Sequence, residues 1–301
     1  MTSMATPNTP VIAPDERLSL RVLLRAFRWK VCVTWGLMLL ETALFALMPL
    51  LISWSIDELL TDDWLPFWQL VFALGALLVV ATGRRIYDTR AYGTMRVALS
   101  QAQVERSEHD TVSVQNARVM MGRELVDFLE TTAPEAVAAL VQVIVAIIVL
   151  LSFHGTLALT SSGAILAMLL IYAVFSKRFF RLNAALNARS EGQVSAIETR
   201  NMKRVAGHFM GLRREEIRLS DTESLVYGLI FLVLLSMLAF NLWFGATQMQ
   251  ATPGQTFAIV SYSLEYLQSA VQLPLALQAL TRLSAITERI NQTPAQMTAD
   301  A

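Results

Sequence analysis

Cysteine, charge and metal-binding side chains are all scarce in this chain. Its one cysteine, Cys32, excludes an internal disulfide framework and a multi-cysteine metal site. Three scattered histidines, His109, His154 and His208, have no matching cysteine or carboxylate spacing, which argues against a metal centre. No glycine is followed directly by lysine, so a GxxxxGK[ST] phosphate loop is absent from the 301 residues. No Ser/His/Asp or Cys/His set supports an enzyme, and no cofactor is implied. Charge is the telling shortage. Charged residues make up 16% of the chain and hydrophobic ones 54%, whereas a soluble domain has roughly 25% charged. The 24 basic and 24 acidic residues cancel, which gives no electrostatic case for nucleic acid. With a mean hydropathy of +0.48, most of the chain must meet a solvent other than water. The partner is the lipid bilayer, and the protein is polytopic.

Six stretches have the ~17–25 apolar residues needed to cross a bilayer as a helix. They fall at about 31–54, 67–82, 136–153, 157–175, 225–246 and 256–280, the last being the most polar. Runs such as Leu140–Leu151 are apolar on all sides, unlike the period-two alternation of a membrane barrel strand, so the class is all-α. Residues 1–16 carry Pro7, Pro10 and Pro14 and no apolar core, and read as a disordered tail rather than a signal peptide. Residues 17–30 place Leu20, Leu23, Leu24 and Phe27 on one helical face and Arg17, Arg21, Arg25 and Arg28 on the other. That pattern predicts an amphipathic helix in the headgroup plane.

Lysine and arginine are distributed unevenly. The first thirty residues hold 5, segment 83–135 holds 7, segment 176–224 holds 10 and the residues after 280 hold 2. The alternate loops, 55–66, 154–156 and 247–255, hold none. By the positive-inside rule both termini and both long loops are cytoplasmic, which fits a bacterial plasma (inner) membrane. The two long segments keep helical composition, with Pro134 the only proline in either. Each reads as a helical hairpin continuing two spans into the cytoplasm, reversing near Ser107, Glu108, His109 and Asp110 in the first and near Gly207, His208 and Gly211 in the second. A tail, 292–301, closes the chain.

Six spans with short outer loops and long helical hairpins after the second and fourth resemble the transmembrane domain of ABC exporters. Local sequence is similar too. Pro49-Leu50-Leu51-Ile52 and Asp57 close the first span; Pro253-Gly254-Gln255, Tyr262, Leu273-Pro274, Arg282 and Glu288-Arg289-Ile290 mark the last. The resemblance covers about residues 17–291. It implies an alternating-access cavity between two subunits, here expected to be a homodimer, with the fourth and fifth spans crossing to the partner. It also implies that short reversing helices, near 107–115 and 206–213, dock on nucleotide-binding domains. This chain has no such domain of its own, so ATP hydrolysis is expected from a separate ATP-binding subunit. Ser190-Glu191-Gly192-Gln193 only faintly echoes the family's nucleotide-domain signature.

Glu41 and Glu265 are the only ionisable residues well inside the expected spans. A charge at the centre of a spanning helix costs about 2.5–3.5 kcal/mol on insertion scales, so each needs a tolerant environment. Ser261, Glu265, Gln268 and Gln272 recur at i, i+4, i+7 and i+11 and form one polar stripe on an apolar helix. On the first span Thr34, Glu41 and Phe45 lie close to one face. Both sets read as lining for a substrate cavity or a proton path, with interhelical hydrogen bonding as the plainer account. Three functions therefore compete: a transporter of an unidentified small molecule or peptide with a borrowed ATPase, a proton-driven transporter with an exporter-like fold, and a non-transporting regulatory subunit.

Overall fold

The computed structural model describes residues 20–106 and 112–290, with 20–21, 106, 113–114, 117–118 and 275–290 described by backbone alone. The two expected tails and the first expected reversal, Ser107–Asp110, lie outside these residues. Among the described residues every regular element is helical, in the order α1 (Leu20–Ala26), α2 (Arg28–Leu59), α3 (Leu65–Arg106), α4 (Val112–Asp127), a π-helical turn (Phe128–Thr132), α5 (Ala133–Phe153), α6 (Gly155–Glu191), α7 (Gln193–Glu198), α8 (Met202–Thr247) and α9 (Pro253–Ile290). Among the described residues five helical stretches are long and apolar enough to cross a membrane: 28–59, 65–105, 119–153, 155–198 and 202–247. The sixth expected span falls within α9, which is 38 residues long and is not among these five. With 42 and 46 residues, α3 and α8 extend about 63 and 69 Å, twice a ~30 Å hydrocarbon layer.

The chain divides into two compact units, one of residues up to Ala146 and from Thr252 onward, the other of Ile147–Ala251. In the first unit α2 packs along both α3 and α9, and α3 along α4. Buried α2 residues recur every three or four positions at Val31, Thr34, Met38, Thr42, Ala46, Pro49 and Ser53, the spacing of one helical face. An apolar cluster of Leu23, Phe27, Tyr92, Met95, Leu99, Leu125 and Leu129 closes the end of the unit where the chain enters α2. The first helix differs from its sequence-based reading. Over its described residues, Leu20–Ala26, Leu23 is buried, as is Phe27 just after it, both against protein rather than turned to lipid, while Arg25 and Arg28 are exposed.

In the second unit α6 and α8 lie against each other through small and apolar side chains. Leu157, Ala158, Ser161, Ala164 and Met168 are buried on α6; Ile230, Leu234, Met237, Asn241 and Gly245 are buried on α8. Small residues let helix backbones approach, the usual basis of helix association in lipid. The pair also carries a polar contact that its apolar sequence hides: Thr160 Oγ1 lies 2.7 Å from Asn241 Oδ1. His154 is structural, its Nδ1 accepting from the Thr156 N–H at 3.1 Å to cap α6. The hairpin reverses through α7, between Gly192 and Asn201, not near Gly207–Gly211. Asn201 caps α8 by accepting from the N–H groups of Lys203 and Arg204. A cap of this kind is worth about 0.5–2 kcal/mol, comparable with the roughly 1 kcal/mol cost of each interior glycine. Gly207, His208 and Gly211 are instead early residues of α8 beside the end of α6. A Cβ at Gly211 would collide with Arg189 Nη1.

Candidate functional site

The site of interest begins with a proline. Pro134 is the second residue of α5 and has no N–H to donate. The helix before it shifts register, and the Ala133 N–H reaches the Phe128 carbonyl five residues back. The Leu129 carbonyl is thereby left without its helical donor, since Ala133 is committed and Pro134 cannot serve. Tyr92 of α3 fills the gap, its buried hydroxyl donating to Leu129 O at 2.9 Å. The wider π-turn displaces Glu130 and Thr131, and beside it lies a cavity of about 940 Å³.

Met38, Glu41, Thr42 and Phe45 of α2 line this cavity, with residues 81–89 of α3 and residues 130–142 around the π-turn and α5. Arg84 in its wall and Arg96 behind it each hold two carboxylates. Arg84 forms an ion pair with Glu41 and lies 3.6 Å from Asp88 one turn along α3. Arg96 pairs with Asp127 at 2.5 Å and also with Glu130. Each guanidinium thus serves two carboxylates. Glu41 stands 18 residues before the end of α2 and Arg84 19 residues after the start of α3. Both therefore lie about 27–29 Å along their helices from the α2–α3 turn, so the antiparallel course of α2 and α3 brings them level. Pairing supplies the tolerant environment that Glu41 requires.

The other sequence candidates are placed as follows. Thr34 does not line the cavity; it is 2% exposed, donates to Val31 O, and lies 3.3 Å from the Tyr92 hydroxyl. None of Ser261, Glu265, Gln268 and Gln272 lines it either. Gln268 and Gln272 are exposed and Ser261 and Glu265 half-buried. The face of α9 that is buried carries Ala258, Ile259, Tyr262, Tyr266 and Ala270. The stripe therefore points away from the helices that α9 packs on within its unit. One link joins α9 to a residue of the cavity wall, the Ser269 hydroxyl donating to Gln142 Oε1 at 2.8 Å.

Residues far apart in sequence meet at the start of α9. Thr252 and Gln255 form a capping box, with Gln255 N–H on Thr252 Oγ1 at 3.1 Å and Thr252 N–H on Gln255 Oε1 at 3.2 Å. Pro253 opens the helix at the position where a missing N–H costs nothing. Asp57, at the end of α2, accepts from the Thr252 hydroxyl and from the Gly254 N–H, at 2.5 and 2.8 Å. Its charge complements the positive helix N-terminus. Gly254 is obligatory in this approach, because a Cβ there would collide with the Ser53 carbonyl oxygen. Two turns on, the Tyr262 hydroxyl donates to Ala46 O at 2.6 Å, in the turn of α2 that Pro49 loosens.

Residues 20–254 match the protein family described as ABC transporter transmembrane region. The chain belongs to that family. No curated protein matches it. As an ABC transporter transmembrane region the chain is a multi-pass membrane protein and a component of a transporter, and its all-helical architecture agrees. The family match ends at Gly254, where α9 begins, so the α2–α9 clamp joins matched residues to a helix beyond the match.

Proposed function

We propose that this chain forms the membrane-spanning half of a transporter whose ATP hydrolysis is supplied by a separate polypeptide. In this reading two copies assemble, six spans each, with both termini and both hairpins on the cytoplasmic side of a bacterial inner membrane. A substrate cavity would form where the polar stripe of α9 faces the second copy. The observation that carries the reading is the α6–α7–α8 hairpin. Two helices of 37 and 46 residues outrun the ~20 residues needed to span, and a six-residue helix, α7, joins them. The short helix at that tip, flanked by Arg200, Lys203 and Arg204, is the element that would engage an ATPase subunit. In the proposal this chain contributes no catalytic group.

A second reading, transport driven by an ion gradient, is favoured by Glu265, a half-buried carboxylate on the open face of α9. One experiment separates the two. The protein is reconstituted alone in proteoliposomes and uptake is followed under a pH gradient, then repeated with ATP and a separate ATP-binding subunit. The first reading expects uptake only in the second condition. Gradient-driven uptake by the protein alone, abolished by Glu265→Gln, overturns it in favour of the second. Glu41→Gln is the parallel control, since a one-carboxylate mechanism responds to only one of the two substitutions.

A further inference from the structure

The cavity beside the π-turn has a charge imbalance that its own residues leave uncorrected. Four carboxylates line it (Glu41, Asp88, Glu130 and Glu135) against two guanidiniums, Arg84 and Arg85. The pairing pattern points the same way. Arg84 is divided between Glu41 and Asp88, and Arg96, behind the wall, between Asp127 and Glu130. Asp88 Oδ1 is buried without a hydrogen-bond partner. An excess of negative charge held partly out of water is unfavourable unless a positive group joins it.

The remaining wall sets the shape of that group. Met38, Phe45, Ala81, Ile86, Pro134 and Ala138 give the cavity an extensive apolar surface, and Phe45 is 46% exposed, free to present its ring face to a cation. The volume, about 940 Å³, lies within the roughly 300–1,000 Å³ of pockets that hold small molecules. An anion would meet four carboxylates, and a neutral apolar molecule would leave the excess charge uncompensated. A bare metal ion would leave the apolar wall unfilled.

We propose that the cavity between α2, α3 and the π-turn binds an organic cation, an ammonium, guanidinium or quaternary centre carried on an apolar body. The positive centre sits between Asp88 and Glu130, and the apolar body lies against Phe45 and Met38. Describing this cation as cargo rests on the transporter reading above; its binding does not require transport.

The probe pair is tetraphenylphosphonium and tetraphenylborate, ions of similar shape and opposite charge. Equilibrium binding of each is measured on the full chain in lipid nanodiscs, with empty nanodiscs subtracted. Saturable binding of the phosphonium and none of the borate is expected. Asp88→Asn and Glu130→Gln should each weaken phosphonium binding tenfold or more. Because either substitution disturbs an ion network, Thr89→Arg provides an independent variant. Thr89 lines the cavity, its hydroxyl bonds to its own helix at Arg85 O, and an added guanidinium there should abolish phosphonium binding and admit the borate. Equal affinity for both ions, absence of saturable phosphonium binding, or indifference to Thr89→Arg overturns the proposal. Binding that persists in a protein inactive in every uptake assay instead counts against the transporter reading and leaves the cation site standing.

Discussion

Removing Arg84 and removing Glu41 should not cost the same, although the two form one ion pair. Breaking a fully buried pair by deleting one partner costs about 3–5 kcal/mol, because a bare charge is left behind. Here the side chains are 28% and 26% exposed, so water screens part of that penalty. Arg84→Met strips the shared counter-charge from both Glu41 and Asp88, and we expect a loss of about 2–3 kcal/mol after that discount. Glu41→Gln leaves Arg84 its second partner, Asp88, at 3.6 Å, and should cost only about 1 kcal/mol, the roughly 1.5–3 kcal/mol of a charged hydrogen bond discounted for exposure. Combining the two should cost less than their sum, since once the charge of Glu41 is gone only Asp88 is left to be uncovered; a coupling of about 1 kcal/mol is expected of residues in one network. The assay is thermal stability in mild detergent, followed by the fraction remaining monodisperse on size exclusion, for wild type, both single variants and the double. The order expected is wild type, Glu41→Gln, double variant close to Arg84→Met. Equal losses for the two single variants, or a double variant at the full sum, would refute the shared-arginine network.

Gly254→Ala should destabilise by about 1–3 kcal/mol, the range for overpacking, because its Cβ meets the Ser53 carbonyl and no side-chain rotation relieves a backbone clash. The same thermal assay checks it, with Gly36→Ala as reference, since nothing lies within 4 Å of a Cβ at Gly36. Tyr262→Phe should cost about 1 kcal/mol through loss of the bond to Ala46 O. Hydrogen exchange should then quicken in the turn around Pro49, and unchanged exchange there would show that the hydroxyl does not support that turn.

The spans were legible because a helix in lipid is specified by composition alone. Long apolar runs must close their backbone hydrogen bonds locally, and the observed helices α2, α3, α5, α6 and α8 enclose the stretches expected from hydropathy. Details that depend on a partner far along the chain were not. Glu41 was visible as an expensive charge, but its partner lies 43 residues away and is reached only through the antiparallel course of α2 and α3. Arg84 instead reads as one more basic residue of a loop. Thr34 shares a rough face with Glu41, yet packing against Tyr92 turns it into the core. The reversal at Gly192 was misplaced because Gly207 and Gly211 look like breaks, whereas a capped helix absorbs both. One signal for the cavity is present in the sequence. Pro134, the only proline in either long segment, removes a backbone donor in mid-helix, and the resulting change of register displaces the surrounding side chains.

The length of α8 has a mechanical consequence. A helix of 46 residues without an internal proline is a rod of about 69 Å, and Gly207, Gly211 and Gly228 do not interrupt it. Rods convert small angles into large displacements. A tilt of about 5° at one end carries the other end roughly 6 Å, about one helical turn. The side-by-side contact with α6, fixed by the Thr160–Asn241 bond, makes the two helices a single stiff beam. A change of slope too small to disturb packing near Asn241 thus becomes a full-turn displacement at α7. The hairpin has the proportions of a lever: angle at one end, distance at the other.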